Sequence, residues 1–158
     1  MIVPDGLFLD PERPDCPPLT NDRIVCAEDT LSLRLPEAYL DVLRVCNGGK
    51  LRRNTYFTQA ATSWAKNYIQ VESLLGIGGE RGIDSRYGSA YLIEEWGFPS
   101  SCVVLWAKGP LAVMLDYREC GPEGDPPIIW VDMDAHQGEQ IVSLAPNFQT
   151  FIEELRPL

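Results

Sequence analysis

The sequence is poor in the residues on which most catalytic and metal sites depend. It holds one histidine, His136, and its five cysteines come no closer than the ten positions between Cys16 and Cys26. Structural zinc takes ligands in pairs a few residues apart, so this spacing argues against a metal site. His136 sits in the polar stretch Asp134-Ala-His-Gln-Gly138, where a solvated loop is the ordinary reading and a Cys–His nucleophilic pair exists on paper only. No apolar run reaches the ~18–20 residues that cross a bilayer, and Met1-Ile-Val-Pro-Asp-Gly6 lacks the basic-then-apolar order of an export signal. These absences describe a cytoplasmic protein in which Cys16, Cys26, Cys46, Cys102 and Cys120 are free thiols. A phosphate-cradling loop is missing as well. In Gly76-Ile-Gly-Gly-Glu-Arg-Gly82, Arg81 stands where G-x-G-x-x-G needs its last glycine, and no Lys-Ser/Thr follows, which leaves a turn using glycine for positive φ.

Positive charge is scarce at both ends. Residues 1–49 carry nine acids and four bases, residues 50–112 five acids and seven bases, and residues 113–158 nine acids and two bases, within a net charge of −10. Such a field repels nucleic acid and anionic membrane and steers a basic partner toward it. It also keeps a protein in solution, and composition alone does not separate the two uses.

What is present reads as one α+β domain of 158 residues, large enough to bury a core without staples. Residues 1–18 hold five of the thirteen prolines and form an extended arm, with Ile2, Val3, Leu7 and Phe8 available to dock on the domain of residues 19–158. Thr20-Asn-Asp22 supplies cap residues for a helix through Ile24, Ala27, Glu28 and Leu31. Leu35, Tyr39, Val42, Leu43 and Cys46 make one stripe of a second helix, opened by Pro36 and stopped at Asn47-Gly-Gly49 by glycine in the left-handed conformation. Tyr56-Phe57 and Tyr68-Ile-Gln-Val71 read as short strands. Ala90–Trp96 reads as a short helix closed by Gly97 and Pro99. Cys102–Trp106, Leu111–Leu115 and Ile128–Asp132 follow as strands, the first two joined at Lys108-Gly-Pro110, with Gln140–Leu144 as an edge strand. Asn147 caps an amphipathic C-terminal helix through Phe148, Phe151, Ile152 and Leu155. The order predicts a mainly antiparallel or mixed central sheet with helices packed on it.

Leu111-Ala-Val-Met-Leu-Asp-Tyr-Arg118 runs from an apolar strand straight into an acid, an aromatic and a base, and acids cluster beyond it at Glu119, Glu123, Asp125, Asp132 and Asp134. Three uses are open to these carboxylates: a solvated rim at a sheet end, a cation or acid–base site, or a surface accepting charge-assisted hydrogen bonds from Arg and Lys. No calcium-loop spacing is present, and no catalytic residue, metal ligand or cofactor site is assigned. Trp96, Trp106 and Trp130 are read as core, with a partly exposed tryptophan beside the rim as an alternative anchor.

Several segments together resemble a known family. Leu35-Pro-Glu-Ala-Tyr-Leu-Asp-Val-Leu43 with Cys46-Asn-Gly-Gly49, Gly76-Ile77, Ser89–Pro99, Leu115-Asp-Tyr-Arg118, Pro126–Asp132 and Phe148-Gln-Thr-Phe151 recur in the order and spacing of the SUKH superfamily. These are bacterial immunity proteins related to a fungal Smi/Knr-type regulator of cell-wall synthesis, and the match covers roughly residues 20–156. The resemblance implies an immunity protein that binds a cognate polymorphic toxin, commonly a nuclease, and blocks its active site without catalysis. A regulatory or scaffold module is the alternative it allows. It marks Trp96, Gly97, Asp116 and Arg118 as fold signature, and leaves Tyr117, Glu119, Glu123, Asp125, Asp132 and Asp134 as the partner-binding rim. Many relatives carry a Gly-Asp-Gly-His-like turn before the Leu-Asp-Tyr-Arg segment. This chain has Ala107-Lys-Gly-Pro110 there, so no role for that histidine carries over.

Overall fold

The computed structural model describes residues 1–158 except Ile2 and Ala60, so the expected docking of Ile2 lies outside the described residues. After the arm comes α1 (Asn21–Leu31), begun by Thr20, whose Oγ1 accepts from Arg23 N at 3.2 Å, and ended by Ser32 in the left-handed region. Pro36, which has no N–H to leave unpaired, precedes α2 (Glu37–Val45), whose Tyr39, Leu40, Val42 and Leu43 are buried. Four short strands follow, β1 (Gly49–Lys50), β2 (Thr55–Phe57), β3 (Tyr68–Gln70) and β4 (Ser73–Leu74), and they pair as two antiparallel ribbons, β1 with β4 and β2 with β3. Then come α3 (Ser89–Trp96), capped by Gly97 at φ 71°, and β5 (Cys102–Lys108), β6 (Leu111–Asp116), β7 (Ile128–Asp132) and β8 (Ile141–Ala145). The chain closes with α4 (Phe148–Glu154), where Asn147 Oδ1 accepts from Thr150 N at 2.8 Å.

β5 to β8 form an antiparallel meander in sequence order. Its central strands are apolar at nearly every position because both faces are covered. On one face Val103, Leu105, Val113, Leu115, Ile128 and Trp130 meet Tyr39, Leu43, Phe148 and Ile152 from α2 and α4. On the other, Val104, Ala112, Met114, Ile129 and Val131 meet Phe98 and the inner side of α3, Leu92 and Ile93. A bulge between Val104 and Trp106 breaks the two-residue period and turns Leu105 and Trp106 to the same side. Trp106 there stacks on Trp130 at 6.0 Å between ring centroids, and Trp64 stands edge-on to both. Each side chain of this size buried stabilises the fold by about 1.5–3 kcal/mol.

The Asn47-Gly48-Gly49 segment departs from its expected role as a simple helix stop. α2 ends at Cys46 with extended backbone, and Asn47, 3% exposed, is a hub of hydrogen bonds rather than a left-handed cap. Its Oδ1 accepts from Ile77 N at 2.9 Å, while Nδ2 donates to Ile77 O at 2.9 Å and Pro17 O at 2.6 Å. Two glycines make room for it: a Cβ on Gly76 would stand 2.5 Å from Asn47 Oδ1, and one on Gly48, at φ 84°, 2.8 Å from Gly76 N. The 76–82 loop is a turn, and Gly78 N donates inward to Asp84 Oδ1 at 2.8 Å.

The same region holds the arm. Cys16 N donates to Asn47 O, Asp15 N to Gly48 O, Leu9 N to Lys50 O and Arg52 N to Leu7 O, at 2.9–3.0 Å. Leu7 and Phe8 lie in the main core and Val3 packs against it, as their docking predicts.

Candidate functional site

The end of β6 is tied down by its own last residues. Asp116 Oδ1 accepts from Arg118 N at 3.0 Å and Nε at 2.9 Å, and Oδ2 accepts from Nη2 at 2.9 Å. The Arg118 guanidinium holds the Asp116 carboxyl below the usual carboxylate range despite partial burial. The Cys102 thiol donates to the same Oδ1 at 3.5 Å, and burial together with that carboxylate pushes the thiol up to about 12. Tyr117, only 3% exposed, points inward, and its hydroxyl donates to Arg34 O at 2.7 Å. The place given to Tyr117 in the partner-binding rim is therefore corrected: its ring belongs to the core, and its polar tip fixes the approach to α2.

Beyond Arg118 the chain doubles back. Gly121 takes φ 78° and its N–H donates to Tyr117 O at 3.1 Å, while Arg34 N donates to Pro122 O at 2.8 Å. This bond draws residues 120–123 against the turn after α1, where Ser32 reverses the chain. Between them lies a groove of about 660 Å³. Glu28, Asp29 and Glu123 line it against a single cation, Arg34, and Val25, 55% exposed, gives it an apolar wall. Glu28 is partly committed, accepting from Leu35 N at 2.7 Å. Cys120, an exposed free thiol, lies at the groove's edge.

The six rim residues do not form one surface. Glu119, Glu123 and Asp125 are exposed at the end of the sheet where β6 finishes and β7 begins. Glu123 lines the groove and Glu119 precedes its Cys120. Asp125 faces a separate cavity of about 220 Å³ at the starts of α2 and α4. Asp132 and Asp134 lie at the opposite end, because β7 carries the chain across the sheet, roughly 13 Å at about 3.3 Å per residue. Asp132 is buried and its Oδ1 accepts from Asp134 N at 2.9 Å, a turn-forming role; Asp134 is exposed.

Of the signature residues, Gly97 takes the left-handed cap and Asp116 with Arg118 forms the tie. Trp96 corrects its core reading, since it is 41% exposed, with its ring over Gly109 in the β5–β6 turn. Trp106 and Trp130 are core, as expected. The sequence reading missed Val25, Glu28 and Asp29 as groove wall. Their signal was faint: an apolar residue, Val25, on the polar side of an otherwise amphipathic helix. His136 is exposed in the β7–β8 connection, and among the described residues no three His, Cys, Asp or Glu side chains are placed to hold a metal ion. All five cysteines are free. No helix among the described residues is long and apolar enough to cross a membrane.

An antiparallel meander covered by helices on both faces, with a carboxylate-lined groove at one end, is a single α+β domain. The protein belongs to the SMI1/KNR4 family (SUKH-1), whose model matches residues 18–154, nearly the whole chain. No curated protein matches it. Membership fits an immunity protein or a regulator. The arm through Pro17 precedes the matched region and is nonetheless hydrogen-bonded to its Asn47.

Proposed function

We propose that this protein is a cytoplasmic immunity protein that binds a cognate toxin, a nuclease with a basic cleft, and blocks its active site by occupancy rather than catalysis and without a cofactor. The observation that carries the reading is the groove between α1 and residues 120–123. It sets Glu28, Asp29 and Glu123 around an apolar wall, with the exposed Glu119 preceding its Cys120 in the chain. A nuclease grips phosphates with Arg and Lys, and clustered carboxylates on a rigid frame are a counterpart for those groups. Opposite fields raise the association rate and select the partner, while a buried apolar contact slows release. Family membership supports the same reading.

The test is co-expression with the toxin domain encoded beside the gene. Growth should be restored by this chain and not by an unrelated acidic protein of similar size. Continued killing, with both proteins present and folded, would remove the proposal. Recovery of a non-toxin partner from the producing cell as the main bound species would favour the regulatory role.

A further inference from the structure

Among the described residues the sheet has one open side. β5, the strand at its other margin, receives a bond from Leu75 N to Leu105 O at 2.8 Å, whereas β8 pairs only with β7 among the described residues. Asp132 N donates to Gln140 O across the pair Val131↔Ile141, which makes that pair the kind whose own backbone groups point away from each other. With the two-residue period of a strand, the N–H and C=O of Ile141 and Ser143 face outward. No backbone bond from the described residues meets them there.

The chain comes close to this edge and leaves a gap. Residues 56–59 and 61–63 lie alongside β8, but β2 is engaged elsewhere, paired with β3 on one side and bridged at Thr55 to Arg156 on the other. Two cavities lie in the gap, about 290 Å³ between Tyr56–Gln59 and Ser143–Leu144, and about 470 Å³ between Ala61–Ser63 and Ile141–Val142. Tyr56 closes one end by donating to Leu144 O at 2.6 Å. Trp130 lines the wider cavity, and its Nε1–H, fully buried, meets no acceptor among the described residues. Phe57 and Ile141 offer exposed apolar side chains along the trough. Asp132 and Glu139 line its wider part, and no Lys or Arg lines either cavity.

We propose that the outer edge of β8, with the trough beside it, is a strand-addition site for an extended cationic segment of a partner protein. Unpaired N–H and C=O groups in register are completed by an extended backbone and by no compact ligand. Alternate side chains of such a strand would meet Phe57 and Ile141, and the exposed Glu139 carboxylate at the wide end selects Lys or Arg. The surface is distinct from the groove at α1, and it stands whether or not the partner is a toxin.

The test uses the full chain and, as probe, an acetylated and amidated heptapeptide alternating lysine and valine. Amide hydrogen exchange at Ile141 and Ser143 should slow by roughly tenfold or more at saturating peptide, while exposed amides in residues 119–125 are unchanged. Ser143→Pro removes an outward donor at an exposed edge position and should abolish the protection with the melting temperature nearly unchanged. Ser143→Lys should weaken peptide binding in the same way, which keeps the test decisive if the proline variant folds poorly. Unchanged exchange at these two amides, or peptide binding by both variants as tight as by the native chain, would overturn the proposal. Protection that grows with protein concentration in the absence of peptide would assign the edge to a second copy of the chain and overturn it equally.

Discussion

Arg118 holds Asp116 in a two-pronged grip, Nε to Oδ1 and Nη2 to Oδ2, both at 2.9 Å, at the point where the central sheet gives way to the acidic loop. The pair closes a ring of three residues. Tyr117 between them is thereby turned inward, where it reaches Arg34 O.

Asp116→Asn should cost about 1–3 kcal/mol in urea unfolding, the usual range for a partly buried carboxylate losing a charged partner, with Arg118 still half in water to soften the loss. The folded carboxyl titrates below its unfolded value of about 3.9, so the contribution is fully present above that pH and is lost as pH falls through the depressed folded value. An unfolding series from pH 6 to pH 2 should therefore fall less steeply below about pH 4 in Asp116→Asn than in the native chain. Identical slopes would show that the pair contributes no linkage.

Asn47→Ala should be worse, by about 2–4 kcal/mol, because it leaves Ile77 N–H and two carbonyls buried without partners. Asn47→Asp should exceed it, since a carboxylate would face Pro17 O and Ile77 O. Chemical denaturation ranks the three proteins. An aspartate variant as stable as the alanine one would contradict the assignment of Nδ2 as donor.

Reversing Asp29, Glu119 and Glu123 to lysine should leave stability within about 0.5 kcal/mol, as exposed side chains without structural bonds do. It should weaken toxin inhibition by about tenfold or more at low salt and flatten its salt dependence. Asp134→Lys, at the far end of the sheet, is the control and should change inhibition little. Inhibition assays at two salt concentrations decide whether the groove or another surface makes the contact.

Thiol labelling separates the cysteines by position. Cys26 and Cys120 are exposed, whereas Cys16, Cys46 and Cys102 are buried away from a reagent. Two adducts should form quickly on the native chain and five on the unfolded one, read by mass spectrometry. Bound partner should protect Cys120 and spare the reaction at Cys26. Equal protection of both, or of neither, would place the partner elsewhere.

The helices and the four long strands were legible because each repeats its period several times, and because the central strands, covered on both faces, stand out as unbroken apolar runs. The ribbons β1–β4 and β2–β3 were not legible as pairs, since two or three residues leave no alternation to match between partners 11 (Phe57 and Tyr68) to 25 (Gly49 and Leu74) positions apart. Asn47 looked like a helix stop because its flanking glycines permit that conformation; only the approach of Ile77 and Pro17 reveals its use. The acidic rim was misread for a geometric reason. Asp125 and Asp132 are neighbours in sequence, but the strand between them spans the sheet. Val25 and Asp29 gained meaning only when residues 120–123 were found against α1.

Nuclease cleavage by the purified cognate toxin domain, followed while this protein is added, tests the central claim most directly. Cleavage should stop at one equivalent, and added nucleic acid should compete with the inhibition because both seek the same basic cleft. Full cleavage in the presence of a saturating excess of the folded chain would contradict it.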